Sequence, residues 1–388
     1  MKSLLPTLVN AASVLAVQVF ALVTLAPASF GLFSILYLLF ALGSSLSLSL
    51  ISEAWLRADL RGGGRAEWAE YSSASLYLAG AAGAVTLTLS LLVEPLRSVA
   101  WLGALAVAAA VYRSSARYYS VRMGEVGGIL AGDAAGLILA VLAWVALYIA
   151  GVRELWMMTA VWAVSALAAA VLSKRPNLLK PKSLPEWRRR HVKEIRPLLR
   201  DSLLMDAGSI GTPYLLAPAL GLANFGVYRA ISNVAAPVRL VLNPIRPQLA
   251  AAPIESQRSS RRVTVVIAGS LLFGGAAYLG LLLVGVLPVD LGSLSAIIDF
   301  ALPASVFVAA NFLGHYFYIV ARSHANARRL LAGRIVQTLL AIVVPIAGVM
   351  VGGLTGAIWG YAGCTAVSAV VWMALVLRPT QGDALKSG

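Results

Sequence analysis

The sequence predicts an all-α, polytopic membrane protein with about twelve transmembrane helices in two six-helix lobes. Three observations predict this class. Of the 388 residues, 60% are hydrophobic and only 12% are charged, and the mean hydropathy is +0.83. The apolar residues fall in long runs, and most lysines and arginines lie between those runs. A single soluble core of this length could not bury so much apolar side chain, which excludes a soluble enzyme, a nucleic-acid-binding domain and a disordered chain.

Twelve mostly apolar runs approach the roughly 20 residues that a helix needs to cross a bilayer. The fourth run is short, and we expect it to continue through Tyr118 or Tyr119. The first is too long for the apolar region of a signal peptide, so we expect an uncleaved helix. The predicted spans are Leu4–Leu25, Gly31–Ile51, Ser75–Val93, Val99–Tyr112, Val126–Ala150, Leu155–Leu172, Ser202–Leu220, Asn224–Ile245, Val263–Leu287, Leu294–Val320, Ile335–Val351 and Leu354–Leu377.

The distribution of lysine and arginine predicts the orientation of these spans. With a cytoplasmic N-terminus and alternating loops, nearly all basic residues fall in cytoplasmic segments, including Arg113, Arg117 and Arg122. Only Arg97 and Arg153 fall in external loops. Cytoplasmic loops of membrane proteins are enriched in lysine and arginine. We therefore expect a multi-pass protein of the plasma (inner) membrane with both termini cytoplasmic, and we attribute the net charge of +15 mainly to this cytoplasmic surface.

A basic segment divides the chain near its middle. It holds ten lysines and arginines from Lys174 to Arg200. It is interpreted either as a solvated connector that fixes orientation or as a patch for anionic lipid or a partner. The predicted organisation is an N-terminal lobe over residues 1–173, a cytoplasmic linker over 174–201, a C-terminal lobe over 202–378 and a cytoplasmic tail over 379–388. Four prolines are expected to interrupt the linker: Pro176, Pro181, Pro185 and Pro197.

A short repeat relates the two halves. The segment Ala28-Ser29-Phe30-Gly31-Leu32-Phe33 lies between the first and second spans, and Ala223-Asn224-Phe225-Gly226-Val227-Tyr228 lies between the seventh and eighth. With six helices per half, both copies fall on the outer face. The halves are therefore expected to be parallel repeats related by a pseudo-two-fold axis along the membrane normal, a layout typical of transporters.

These segments carry a family resemblance. Phe30-Gly31-Leu32-Phe33-Ser34, Phe225-Gly226-Val227-Tyr228-Arg229-Ala230 and Pro244-Ile245-Arg246-Pro247-Gln248-Leu249 resemble the polysaccharide (oligosaccharide) flippases of the multidrug/oligosaccharidyl-lipid/polysaccharide exporter superfamily. The resemblance covers the whole chain in layout but only these stretches in motif. It implies the movement of an isoprenoid-linked oligosaccharide from the inner to the outer leaflet by alternating access. The twelve-helix plan argues against the lipid II flippase branch, which resembles a fourteen-helix plan.

Polar residues inside predicted spans mark candidate sites, because a charge at the bilayer centre costs about 2.5–3.5 kcal/mol on insertion scales. Arginine can bind two phosphate oxygens at once, so Arg229 and Arg239 are candidates for binding a pyrophosphate. The two aspartates could relay protons or ions. Asn311 and His315 lie one turn apart, so their side chains share a single helix face. The six candidates are Arg239, Arg229, Asp133, Asp206, Asn311 and His315.

Each candidate also has a structural interpretation. Asp133 could pair with an arginine and hold two helices together. Charges near span ends, such as Asp206 and Arg229, could extend to the interface. His315 could serve an interhelical hydrogen bond.

The sequence therefore favours a transporter for a lipid-linked oligosaccharide, with membrane lipids and possible polysaccharide-synthesis enzymes as partners. Alternatives are an ion-coupled drug or small-molecule exporter of the same superfamily and a non-transporting scaffold that recruits partners through the linker. The short external loops argue against a membrane enzyme. No catalytic residue, cofactor, metal or nucleic acid is expected, since Cys364 is the only cysteine and the three histidines lack metal-ligand spacing.

Overall fold

The computed structural model describes residues 4–60, 67–177, 183–325 and 327–378. All regular structure in this part of the chain is helical, which confirms the predicted fold class. The predicted tail 379–388 lies outside the described residues. The helices are α1 (Leu4–Thr24), α2 (Pro27–Ser47), α3 (Glu53–Leu60), α4 (Trp68–Leu92), α5 (Ala100–Met123), α6 (Val126–Ile149), α7 (Leu155–Leu172), α8 (Ser183–Asp206), α9 (Thr212–Val234), α10 (Ala236–Ala251), α11 (Ile254–Arg258), α12 (Ser260–Val286), α13 (Ala301–His324) and α14 (Ala327–Leu377).

The predicted spans correspond to these helices. Among the described residues, nine helical stretches are long and apolar enough to cross a membrane. Two of them, Leu184–Leu242 and Arg328–Leu377, each contain two predicted spans, and the helix α1 supplies the first. Large apolar side chains on these helices are exposed, such as Val351, Met350 and Ile149. Exposed apolar surface on this scale is suited to contact with lipid.

The chain divides into two compact units, Met1–Asp206 and Ala207–Gly388. In the first unit α5 lies at the centre, where it packs against α2, α4 and α7, while α6 packs against α1 and α7. A π-helical turn at Leu48–Ser52 connects α2 to α3 without ending the helical path. The second unit is built on α13, which packs against α10, α12 and α14.

Glycine sets the two internal breaks in the second unit. Gly221 has φ of 72° and divides α9, between the seventh and eighth predicted spans. Gly353 has φ of 55° and, with Gly352, turns α14 back on itself. The two arms of α14 then approach at Gly348 and Gly356, where an added Cβ on Gly356 would lie only 2.0 Å from the Gly348 carbonyl oxygen. Only glycine at both positions permits backbones to meet so closely.

The basic segment differs from the expected proline-interrupted linker. Its later part is a helix, α8, and Pro197 lies within that helix. An apolar stripe explains the difference, because Trp187, Ile195 and Leu198 are buried at helical spacing. A π-helical turn at Ala207–Gly211 then joins α8 to α9. The seventh predicted span therefore continues from α8 rather than beginning after an irregular connector.

Candidate functional site

The aspartate predicted at position 133 lies in a buried ionic cluster of the first unit. It sits seven residues after the start of α6, and only 2% of its surface is exposed. Arg117 Nε donates to Asp133 Oδ2 at 3.0 Å, and Arg113 Nη2 donates to Asp133 Oδ1. Arg113 Nη2 also donates to Asn10 Oδ1 at 3.0 Å. These four residues, called the Asp133 cluster below, join α1, α5 and α6.

The Asp133 cluster carries two guanidinium groups and one carboxylate. By formal charge, the two guanidinium groups and the one carboxylate of these ion pairs sum to +1. Arg113 is buried, and its Nε has no hydrogen-bond acceptor among the described residues. A buried donor without an acceptor is unfavourable unless another group supplies one. The excess positive charge and the open donor both favour an additional anionic or oxygen-rich group at this site.

The two arginines of this cluster were missed by the sequence reasoning. The fourth apolar run was bounded at Tyr112 with an expected continuation through Tyr118 or Tyr119, and Arg113 and Arg117 were counted among the cytoplasmic basic residues. In the structure α5 continues to Met123, so both arginines belong to the helix. Their spacing of four residues puts them on one helix face, and that spacing was the signal available in the sequence. The expected continuation of this span is therefore confirmed, whereas the two arginines were not recognised as candidate site residues.

A cavity of about 240 Å³ adjoins the Asp133 cluster. Arg117 and Asp133 form one side of it. Glu125 and Lys174 form another side and are ion-paired to each other. Ser120 Oγ donates to Glu125 Oε2 at 2.9 Å. The cavity wall therefore carries cations, carboxylates and hydroxyls within one small volume.

Glu125 lies between α5 and α6, outside the apolar part of the helices. Burial acts to raise the pKa of Glu125, but hydrogen bonds from Lys174 and Ser120 outweigh it and the pKa is lowered. The Lys174 ammonium also lies over two aromatic rings, 5.1 Å from the Trp68 centroid and 5.2 Å from that of Tyr119. Cation–π attraction and the ion pair together fix Lys174 at the edge of the cavity.

A second, smaller cavity is lined in part by Arg113. Its volume is about 40 Å³, and its wall includes Tyr37, Phe40 and Trp162. The Trp162 ring lies 5.7 Å from that of Tyr37 and 5.8 Å from that of Phe40. Ser165, also on this wall, donates to the Gly136 carbonyl oxygen at 2.8 Å. Arg113 therefore lines the aromatic cavity, while its ion-pair partner Asp133 lines the polar one.

The two arginines predicted in the second unit lie near a shared phenol. Arg229 is half-buried and Arg239 is exposed, and both interact electrostatically with the half-buried Tyr361. Arg229 also interacts electrostatically with Tyr214 and Tyr228. The second unit thus brings its two predicted phosphate candidates to one tyrosine-rich region.

The remaining predicted residues lie apart from these clusters. Asp206 is buried and ends α8. Asn311 and His315 are half-buried on α13, and the His315 ring centroid lies 6.5 Å from that of Tyr318. Tyr318 OH in turn accepts a hydrogen bond of 2.6 Å from Arg334, a buried arginine that sequence reasoning had placed in a cytoplasmic segment.

Comparisons with known proteins identify the fold. No family model matches the sequence, and a search of curated proteins finds no match. Among solved structures, an inward-facing multidrug resistance MATE family transporter of the MOP superfamily has a TM-score of 0.67 at 14% identity, with 97% of this chain and 96% of that chain covered. The chain has the fold of the MOP superfamily transporters.

Two further structures extend this similarity. The lipid II flippase MurJ, in an inward closed conformation, has a TM-score of 0.65 at 9% identity, covering 97% of this chain and 87% of that chain. The eukaryotic MATE transporter AtDTX14 has a TM-score of 0.56 at 11% identity, covering 100% and 96%. The MOP fold is thus shared with drug transporters and with a lipid flippase, including the branch that the helix count argued against. The substrate must be inferred from the interior of this chain.

Proposed function

We propose that the protein is a flippase that moves an isoprenoid-linked oligosaccharide from the inner to the outer leaflet by alternating access, for cell-surface polysaccharide synthesis. The Asp133 cluster carries this proposal. Two arginines, one buried and one half-buried, share the Asp133 carboxylate beside a cavity of about 240 Å³, so the formal charge of these three groups is +1. A lipid-linked oligosaccharide presents a pyrophosphate, which is the type of anion that arginine binds best.

The arginines of the Asp133 cluster and the residues predicted from the sequence receive distinct roles in this proposal. Arg113 and Arg117 attract the pyrophosphate, and Asp133 holds their guanidinium groups in a fixed orientation. Arg229 and Arg239 supply a second positive region in the second unit. Asp206 is a proton or ion relay, and Asn311 and His315 bond sugar hydroxyls. The assignment of Arg229 and Arg239 to one region is supported by their common electrostatic interaction with Tyr361.

We infer the orientation from the distribution of basic residues along the sequence. With both termini cytoplasmic, the α5–α6 connection and Lys174 lie on the cytoplasmic side. Asp133 lies roughly 10 Å along α6 from that side, at 1.5 Å per residue. The larger cavity would then open toward the leaflet in which the substrate is made. A plasma-membrane location and contact with polysaccharide-synthesis enzymes belong to the same proposal.

A depletion experiment tests the proposal. The protein is removed from its host, the lipids are extracted, and lipid-linked oligosaccharides are measured by mass spectrometry. We expect a complete repeat unit to accumulate on its isoprenoid carrier while surface polymer is lost. No change in any lipid-linked oligosaccharide would contradict the proposal. Accumulation of an incomplete unit would instead indicate an enzyme.

An ion-coupled drug or small-molecule exporter is the second candidate. The observation that favours it is the pair of carboxyl groups on the larger cavity, Asp133 and Glu125, since acidic groups can bind a cationic drug. Both carboxylates are ion-paired to basic side chains, which reduces their attraction for a cation. Retention of a fluorescent cationic dye in depleted cells, with unchanged glycolipids, would favour the exporter.

A further inference from the structure

The helix α8 presents two opposite faces. One face holds buried side chains at helical spacing: Trp187, His191, Glu194, Ile195 and Leu198. The other holds exposed basic side chains spaced by four, three and four residues, which keeps them on one side at 3.6 residues per turn: Arg189, Lys193, Arg196 and Arg200.

The buried face fixes α8 to the first unit. Trp187 Nε1 donates to the Leu50 carbonyl oxygen at 3.1 Å, and its ring makes an edge contact with Tyr71 at 6.1 Å between centroids. Ile195 and Leu198 pack with the fully buried Ala54 on α3. At the C-terminal end, the hydroxyls of Ser49 and Ser202 lie 2.5 Å apart. The basic face is therefore held in a set orientation rather than carried on a free tether.

The basic face has little acidic compensation. On α8, Glu194 is buried and Asp201 is half-buried, so Glu186 is the exposed carboxylate of this helix. Arg190 is exposed but is ion-paired with Glu70 on α4. The face thus displays an excess of positive charge along about 16 Å of helix, at 1.5 Å per residue.

The N-terminal end of this face borders a groove of about 480 Å³. Leu184, Pro185 and Val192 supply apolar wall, and Arg188 and Arg189 supply charge. This combination of apolar wall and two guanidinium groups is complementary to a phospholipid, which carries its phosphate close to its acyl chains. Basic segments next to a transmembrane helix attract anionic lipids.

We propose that the exposed face of α8 is a binding site for acidic phospholipid headgroups of the cytoplasmic leaflet. The guanidinium groups of the exposed arginines bind the lipid phosphates, and the groove accepts the first carbons of an acyl chain. Because α8 continues through the turn at Ala207–Gly211 into α9, bound lipid anchors the helix that joins the two units. This inference is independent of the substrate of the protein.

The test measures lipid binding by the full-length protein in detergent. Phosphatidylglycerol and phosphatidylethanolamine are titrated separately, and bound lipids are counted by native mass spectrometry. We expect phosphatidylglycerol to bind wild type about tenfold more tightly. The variant R189Q/K193Q/R196Q should lose this preference. Its matched control, R261Q/R262Q/R328Q, removes three exposed charges from the starts of α12 and α14 and should keep it.

Three outcomes would overturn the proposal. They are equal binding of both lipids by wild type, unchanged binding by the α8 variant, and an equal loss in the control, which would indicate a general charge effect. Size-exclusion chromatography and helix content establish that each variant is folded. Should the triple variant fail to fold, K193Q/R196Q replaces it and must lower phosphatidylglycerol binding. The charge-keeping variant R189K/R196K must retain most of it.

Discussion

At the scale of single residues, the Asp133 carboxylate is the centre of the first unit's polar interior. It is nearly fully buried and compensates two guanidinium groups from α5. Removing one partner from a buried ion pair leaves an uncompensated charge, whereas removing both partners is tolerated better. The stability of this unit should therefore depend on matched charges in the cluster, while substrate binding should depend on the arginines.

This contrast leads to a double-mutant prediction. Asp133→Asn should destabilise the protein by about 3–5 kcal/mol, because the buried Arg113 guanidinium then loses its carboxylate partner. The double variant R113Q/D133N should recover part of that loss yet remain inactive. The measurement is the apparent Tm in detergent by scanning fluorimetry, together with activity in cells.

Glu125→Gln is the matched control for this series. It breaks an ion pair with Lys174 whose members are one-third or more exposed, so a cost of about 1 kcal/mol or less is expected. Equal Tm values for Asp133→Asn and Glu125→Gln would contradict the assigned importance of the buried cluster.

At the scale of elements, the hairpin of α14 depends on glycine where its two arms meet. A Cβ on Gly356 would lie 2.0 Å from the Gly348 carbonyl oxygen, which belongs to the backbone and cannot rotate away as a side chain could. We expect Gly356→Ala to separate the arms and to lower the apparent Tm and the membrane abundance strongly. Gly363→Ala is the control on the same arm, since nothing lies within 4 Å of its added Cβ. Equal behaviour of the two variants would argue against this contact.

The docking of α8 should depend on pH through His191, which precedes the seventh span. Burial lowers the pKa of His191, and Arg190 reinforces this, while the Trp187 carbonyl and the carboxylates of Glu194 and Glu70 act in the opposite direction. The docked helix therefore favours neutral imidazole. Once undocked, the imidazole would titrate near its ordinary pKa of about 6.5. Docking should weaken as the pH falls below that value and stay constant above about 7.5.

Hydrogen–deuterium exchange of α8, corrected for the intrinsic pH dependence of exchange, checks this expectation. Protection of 184–200 should fall between pH 7.5 and 5.5 in the wild type. His191→Gln should show a smaller change over the same range. Identical pH dependence in the two proteins would contradict the role of His191.

The elements show what the sequence could and could not predict. Apolar runs were sufficient for the spans, because length and hydropathy alone determine which segments can cross a bilayer. Arg113 and Arg117 were not recognised as site residues, because a charged residue at a span end is equally typical of a cytoplasmic boundary and of an inward-facing helix turn. The helix α8 was missed because its prolines drew more weight than the buried spacing of Trp187, Ile195 and Leu198.

At the scale of the whole molecule, the fold is that of transporters but does not identify the substrate. A MATE transporter and a lipid II flippase both match nearly the full chain, at 14% and 9% identity. The choice between a flippase and a drug exporter therefore depends on the charged side chains inside this chain. Two arginines per carboxylate in the Asp133 cluster favour an anionic substrate over a cationic one.

The most direct test of this choice is leaflet transfer by the purified protein. Proteoliposomes are loaded with the lipid-linked oligosaccharide that accumulates in depleted cells, and its exposure to a membrane-impermeant glycosidase is followed over time. We predict transfer by wild type, a loss of tenfold or so with Arg117→Gln since one of two phosphate-binding cations is removed, and no transfer in protein-free vesicles. Transfer no faster than in protein-free vesicles, alongside uptake of a cationic dye, would contradict the flippase and favour the exporter.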